Sequence, residues 1–169
     1  MRLRDSILAA TAALALFTSA ASAATGFSAN LSGAQEVPVV VTPALGSSTC
    51  VLNNAQTQLT VFVKFQNLTG TYTASHIHLP APVGANAGVR FGFAPTLTNA
   101  NHDGVFNGTW NSPTMTASDV SALLAGLAYV NIHSSFKPGG ELRGQLLQDI
   151  SVPTKSTTWG RVKSLYRGK

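Results

Sequence analysis

The run Gln58-Leu59-Thr60-Val61-Phe62-Val63-Lys64-Phe65 suits only one regular backbone. Leu59, Val61, Val63 and Phe65 recur every second residue, with Thr60, Phe62 and Lys64 between them. A period of two puts one set on each face of a β-strand, whereas a helix would scatter both sets around its axis. The rest of the chain repeats the pattern at close spacing. Residues 27–31, 48–52, 71–79, 89–93, 103–110, 127–134 and 141–146 read as further strands, and 39–42 as a short edge strand between Pro38 and Pro43. Turn residues punctuate them: Asn53-Asn54-Ala55, Asn67 to Gly70, Asp103-Gly104 and Pro138-Gly139-Gly140. The first of these joins two strands as a hairpin.

One helix interrupts the series. Thr116-Ala117-Ser118-Asp119 has the form of a capped helix start, Val120, Leu123 and Leu124 repeat at helical spacing, and Gly126 ends it. The expectation is an all-β, antiparallel sandwich or barrel with one short helix at about 117–125. At 169 residues and 44% hydrophobic content the chain is long enough for one domain with a real core. Charged residues make up only 10%, against about 25% in an average globular protein. Thr, Ser, Asn and Gly must therefore cover much of the surface.

The two ends differ from this body. Arg2 and Arg4 precede an Ala/Leu-rich apolar stretch over 7–17, followed by Ala21-Ser22-Ala23. That is the pattern of a signal peptide over 1–23, and the apolar stretch is short of the roughly 20 residues of a membrane span. The domain is expected at 24–150, in a secreted or extracytoplasmic protein. Residues 151–169 read as a polar linker and a basic tail, in which Trp159, Val162 and Leu165 fall at helical spacing. Such a tail suits an anionic surface. The formal charge of +5 comes from these ends. The body sets Lys64, Arg90, Lys137 and Arg143 against Glu36, Asp103, Asp119, Glu141 and Asp149, so it shows no basic face for nucleic acid. The partner expected is an extracellular protein or an envelope component. Cys50 is the only cysteine, which excludes an internal disulfide.

Chemistry concentrates at Ala74-Ser75-His76-Ile77-His78. On a strand, His76 and His78 share a face and Ile77 takes the other. His133 shares a face with Asn131 further on. Imidazoles are ligands for copper, zinc and nickel, and three of them can build a copper site. The same residues can also form a polar cluster that holds strands together. His102 and Asp103 are the remaining candidates for a fourth ligand. Glu141 and Arg143 alternate after a Gly-Gly turn, and read as structural: a same-face ion pair, or bonds to loop backbone. No Gly-x-Ser-x-Gly elbow, phosphate-cradling loop or paired carboxylates mark an enzyme of those classes.

Three blocks carry a resemblance. They are His76-Ile77-His78 after Asn67-Leu68-Thr69-Gly70, then Ala125-Gly126-Leu127-Ala128-Tyr129-Val130-Asn131-Ile132-His133-Ser134, then Pro138-Gly139-Gly140-Glu141-Leu142-Arg143-Gly144-Gln145-Leu146. In order and spacing they resemble the CHRD domain, named after chordin, over roughly 27–147. The resemblance implies an immunoglobulin-like β-sandwich, and supplies no catalytic residues. Leu79 departs from the family pattern, which has a small residue after the second histidine. A weaker likeness is to copper/zinc superoxide dismutase, which also sets a His-x-His pair and a later histidine on a β-sandwich. By that likeness His76, His78 and His133 are copper ligands. The dismutase disulfide and its zinc loop have no counterpart in this chain. Three functions follow as expectations: a secreted binding module holding copper, a copper-dependent oxidoreductase, and a structural or adhesion module.

Overall fold

The computed structural model describes residues 23–149. The expected signal peptide, apart from Ala23, and the expected linker and tail lie outside them. Nine strands follow in chain order: β1 Thr25–Ser32, β2 Leu45–Leu52, β3 Gln58–Gln66, β4 Tyr72–His78, β5 Val89–Gly92, β6 Thr96–Thr98, β7 Asp103–Asn111, β8 Ala128–Ser134 and β9 Leu142–Gln148. The one α-helix among the described residues, α1, runs Ala117–Leu124 between β7 and β8.

The strands form one sheet in the order β5-β4-β8-β9-β1-β2-β3-β7-β6, and the paired neighbours are antiparallel. The sheet curls until its ends meet. The Phe91 ring of β5 stacks 5.4 Å from Trp110 of β7, and Phe93 lies 4.7 Å from Phe106 of β7. The two layers of this all-β fold are thus halves of a single curled sheet. The apolar face of each strand turns inward: Leu59, Val61, Val63 and Phe65 of β3 meet Phe27, Leu31, Ile77, Val130, Ile132, Leu142 and Leu146 in one cluster. The period of two read in β3 appears directly as strictly alternating burial.

Two local expectations need correction. Residues 39–42 form no strand: Val39 and Val41 are exposed, and only Val40 is buried. Both edges of the adjacent β1 are already occupied, by β2 and β9, so no ladder is open to that segment. Conversely, β6 is a three-residue strand held only by β7, too short to show a period.

The feature that positions the site is a second buried layer. Strands β8 and β9 are buried along most of both faces. Their outer faces carry Tyr129, Asn131, Arg143 and Gln145 beneath two loops. The loop after β1 brings Glu36 to Asn131, at 2.6 Å. The loop after β4 brings the Ala81 and Ala85 carbonyls to Gln145 and Arg143, at 2.9 and 2.7 Å.

Candidate metal site

His76 and His78 stand on β4 with Ile77 between them, fully buried in the core. In the β4–β8 ladder His76 pairs with Asn131 and His78 with Tyr129, and His133 lies one step beyond on the same face as both. The three rings converge. Their centroids are 4.9 Å apart for His76–His133, 5.5 Å for His76–His78 and 6.3 Å for His78–His133. One nitrogen from each ring lies within 4.8 Å of the other two. Metal–imidazole bonds run about 2.0–2.1 Å, so ring shifts of under about 1 Å bring all three nitrogens to one ion.

Backbone carbonyls fix which nitrogen His78 and His133 present. His78 Nδ1 lies 3.0 Å from the Ala87 carbonyl oxygen, and His133 Nδ1 lies 2.8 Å from that of Pro138. A carbonyl only accepts, so both Nδ1 atoms carry the proton and both Nε2 atoms keep a lone pair. His133 Nε2 spends its lone pair on a 3.1 Å hydrogen bond from His76 Nδ1. His78 Nε2 is buried and has no hydrogen-bond partner among the described residues. Buried polar atoms are nearly always paired, so an orphan beside two other imidazoles requires an explanation.

The electrostatics favour neutral rings. Burial lowers the pKa of His76, and the neighbouring His133 adds to it. Burial likewise lowers His78, against the opposing bond to Ala87, with the charges of His76, His133 and Arg143 adding to the fall. Burial lowers His133 against its bond to Pro138. Neutral imidazole is the form that binds metal. The donor set therefore fits an ion taken by His76 Nδ1, His78 Nε2 and His133 Nε2. His76 would pass its proton to Nε2 as the ion replaced the ring-to-ring hydrogen bond.

The other sequence candidates lie apart. His102 Nδ1 is 2.5 Å from the Leu68 carbonyl oxygen, and Asp103 Oδ1 accepts from the Asn67 amide at 2.7 Å. Neither belongs to the three-histidine group. Glu141 and Arg143 make no ion pair with each other; among the described residues the one salt bridge joins Arg90 and Asp119. Glu141 accepts from Ser134 Oγ, from Thr42 Oγ1 at 2.5 Å and from the Thr69 amide at 2.7 Å. Arg143 donates to the Ala85 carbonyl and to Asn86 Oδ1 in the loop after β4. Ser134, next to His133, points to the opposite face and to Glu141, so no Ser–His pair forms.

A family model described as the CHRD domain matches residues 27–146. The chain belongs to the CHRD family. That match runs from within β1 to within β9, and it contains all three histidines. Comparison with curated proteins and with solved structures found no match. No helix among the described residues is long and apolar enough to cross a membrane.

The CHRD domain here contains residues whose part the sequence did not signal. Tyr129 stacks on His78 with centroids 4.8 Å apart and planes within 2°. Its hydroxyl accepts from the Ala87 amide at 3.2 Å and lies 3.4 Å from the Ala87 carbonyl oxygen, holding the residue whose carbonyl orients His78. The alternation of Tyr129, Asn131 and His133 was the available clue to Tyr129. Ala87 and Pro138 act through backbone carbonyls, which no residue type announces.

Proposed function

We propose that this CHRD domain is a secreted binding module that holds one copper ion at His76, His78 and His133. The observation that carries the proposal is the buried, unpartnered Nε2 of His78, facing two rings that can each offer a lone pair. Three neutral imidazoles with no carboxylate or thiolate among them suit copper, and copper(II) stands highest among the divalent first-row metals for a given nitrogen site. The signal-peptide pattern of residues 1–23 supports secretion. The test is titration of the purified domain with Cu(II), with His76→Ala as control. One equivalent taken up by the parent and lost in the variant is the expected result. Equal uptake by both removes the site and leaves the histidines as a cluster that only holds β4 to β8.

A second reading, a copper-dependent oxidoreductase, draws on Gly92. It pairs with His76 on the edge strand β5, is exposed, and sets no side chain of its own beside that ring. This reading requires a coordination position that solvent can reach. Superoxide or peroxide turnover by the copper-loaded protein distinguishes this reading from a storage or binding role.

A further inference from the structure

Behind the histidine site stands a buried cation with no anionic partner in contact among the described residues. Arg143 is 1% exposed. Its guanidinium bonds only to neutral groups: the Ala85 carbonyl at 2.7 Å, Asn86 Oδ1 at 3.0 Å, and the Pro82 carbonyl and Gln145 Oε1 at 3.4 Å. Its central carbon lies 3.7 Å from the centroid of the Tyr129 ring. Tyr129 in turn stacks on His78. Because β8 lies between β4 and β9, the imidazole and the guanidinium approach Tyr129 from opposite sides. The result is a three-layer stack of imidazole, phenol and guanidinium, running from a metal ligand to a permanent positive charge.

Charge buried in a low dielectric acts over this distance much more strongly than it would in water. Arg143 repels any cation at the histidines, and it repels a dication about twice as strongly as a monocation. We infer that the Arg143 charge, held against the far face of Tyr129, sets the site's preference for Cu(I) over Cu(II), so that the loaded protein has a raised reduction potential. Arg143 is here a positioning and tuning residue, without contact to the ion. Glu36 works in the opposite sense. It lies within electrostatic reach of Arg143 and bonds Asn131, so when ionised it partly offsets the cation. This inference rests on the proposed copper site.

The experiment measures Cu(I) and Cu(II) affinities separately, by competition with a chromophoric chelator for each, in parent, Arg143→Gln, Arg143→Lys and Glu36→Gln proteins at pH 8. Arg143→Gln removes the charge, and Arg143→Lys keeps it while losing the planar stack. The expected result is a ratio of Cu(I) to Cu(II) affinity that falls about tenfold or more in Arg143→Gln, equal to a potential about 59 mV lower. It stays within about threefold of the parent in Arg143→Lys and rises in Glu36→Gln. A ratio unchanged in Arg143→Gln, or equally lowered in the Gln and Lys variants, overturns the inference while leaving the copper site standing. If Arg143→Gln does not fold, Glu36→Gln decides alone, since an unchanged or lowered ratio there contradicts the charge argument. A parent protein that binds neither ion overturns the copper site itself, and the inference with it.

Discussion

Glu36 Oε1 accepts a 2.6 Å hydrogen bond from Asn131 Nδ2, in the layer between β8 and the loop that follows β1. Burial pushes this carboxyl up to about 7, against the lowering effects of the Asn131 bond, the Arg143 charge and the Val37 amide. The ordinary value is 4.5, so between pH 4.5 and about 7 the folded state holds a proton that the unfolded chain has lost. The stability this contributes is complete below pH 4.5 and is lost as the pH rises through about 7. Glu36→Gln keeps the acceptor oxygen and removes the ionisation. Its melting temperature is expected to exceed the parent's by a few degrees at pH 8, with the gap closing toward pH 5. Parallel melting curves across that range would rule out a buried, protonated Glu36.

The histidines predict the opposite slope. Their pKa values are lowered in the fold, chiefly by burial, so below the ordinary 6.5 the unfolded chain takes up protons that the folded site refuses. The metal-free protein should therefore lose stability as the pH falls from 6.5, until the folded rings themselves protonate. Copper uptake should persist somewhat below pH 6.5, because the rings remain neutral there. His78→Ala removes the orphan Nε2 and is expected to weaken copper affinity by more than about 100-fold, beyond the 10–100-fold typical for losing a group that only supports a ligand. A competition assay against pH, on parent and variant, reads both effects. Uptake that is unaffected by the variant would place the copper elsewhere.

How much of this was legible in the sequence depends on whether the relevant partner was local. His76 and His78 share a face because a strand's period is two, and α1 begins where Thr116 and Asp119 said it should. His133 could be joined to them only through resemblance, the dismutase likeness above all, since it lies 55 positions from His78 in the chain. Glu36 lies 95 residues from Asn131, and nothing in its loop pointed there. Alternation grouped Glu141 with Arg143, but Glu141 precedes the first ladder residue, Leu142, and the pleat does not govern it. It turns toward Ser134, Thr42 and Thr69, whereas Arg143 obeys the pleat and faces the loop. The bare alternation of β3 was visible because one of its faces meets solvent. The loops that bury both faces of β8 and β9 erase that contrast.

Asp119 ties the helix to the sheet. Its Oδ2 accepts from the Thr116 amide and hydroxyl at 2.9 and 2.8 Å, while Thr116 Oγ1 accepts from the Asp119 amide, closing a capping box. Arg90 on β5 adds two bonds of 2.8 Å to the same carboxylate. The Arg90 bonds foremost, with those of Thr116 and against burial, hold the Asp119 pKa at about 2. Asp119→Ala is expected to cost about 1–2 kcal/mol, mostly the lost bonds from the Thr116 amide and hydroxyl, since the Arg90 side chain is 40% exposed and its ion pair is screened. Asp119→Asn should cost less. The parent's advantage over both should disappear as the pH falls from 3.8 through about 2, where the carboxylate protonates. Denaturant unfolding at pH 7 measures the cost, and a loss below about 0.3 kcal/mol would show that the cap contributes nothing.

Glu141 predicts the largest loss. It is fully buried, and its two oxygens collect hydrogen bonds from Ser134, Thr42 and the Thr69 amide. Burial works to raise its pKa, but those bonds outweigh it and hold the carboxyl below its ordinary 4.5. One carboxylate thus joins the end of β8 to the loops before β2 and β4. Removing it with Glu141→Ala leaves three donors without their acceptor and opens a cavity. A buried orphaned donor such as Ser134 costs about 1–3 kcal/mol, the half-buried Thr42 and exposed Thr69 donors less, and a single change above about 4 is exceptional. The expected loss is about 3–4 kcal/mol, read from denaturant unfolding at pH 7. Glu141→Gln keeps the volume and one acceptor, and should lose about half as much. Because the folded pKa lies below the unfolded one, the parent's advantage over Glu141→Gln should shrink as the pH falls below 4.5. Equal stability of parent and Glu141→Ala would mean that the loops hold their places without this carboxylate.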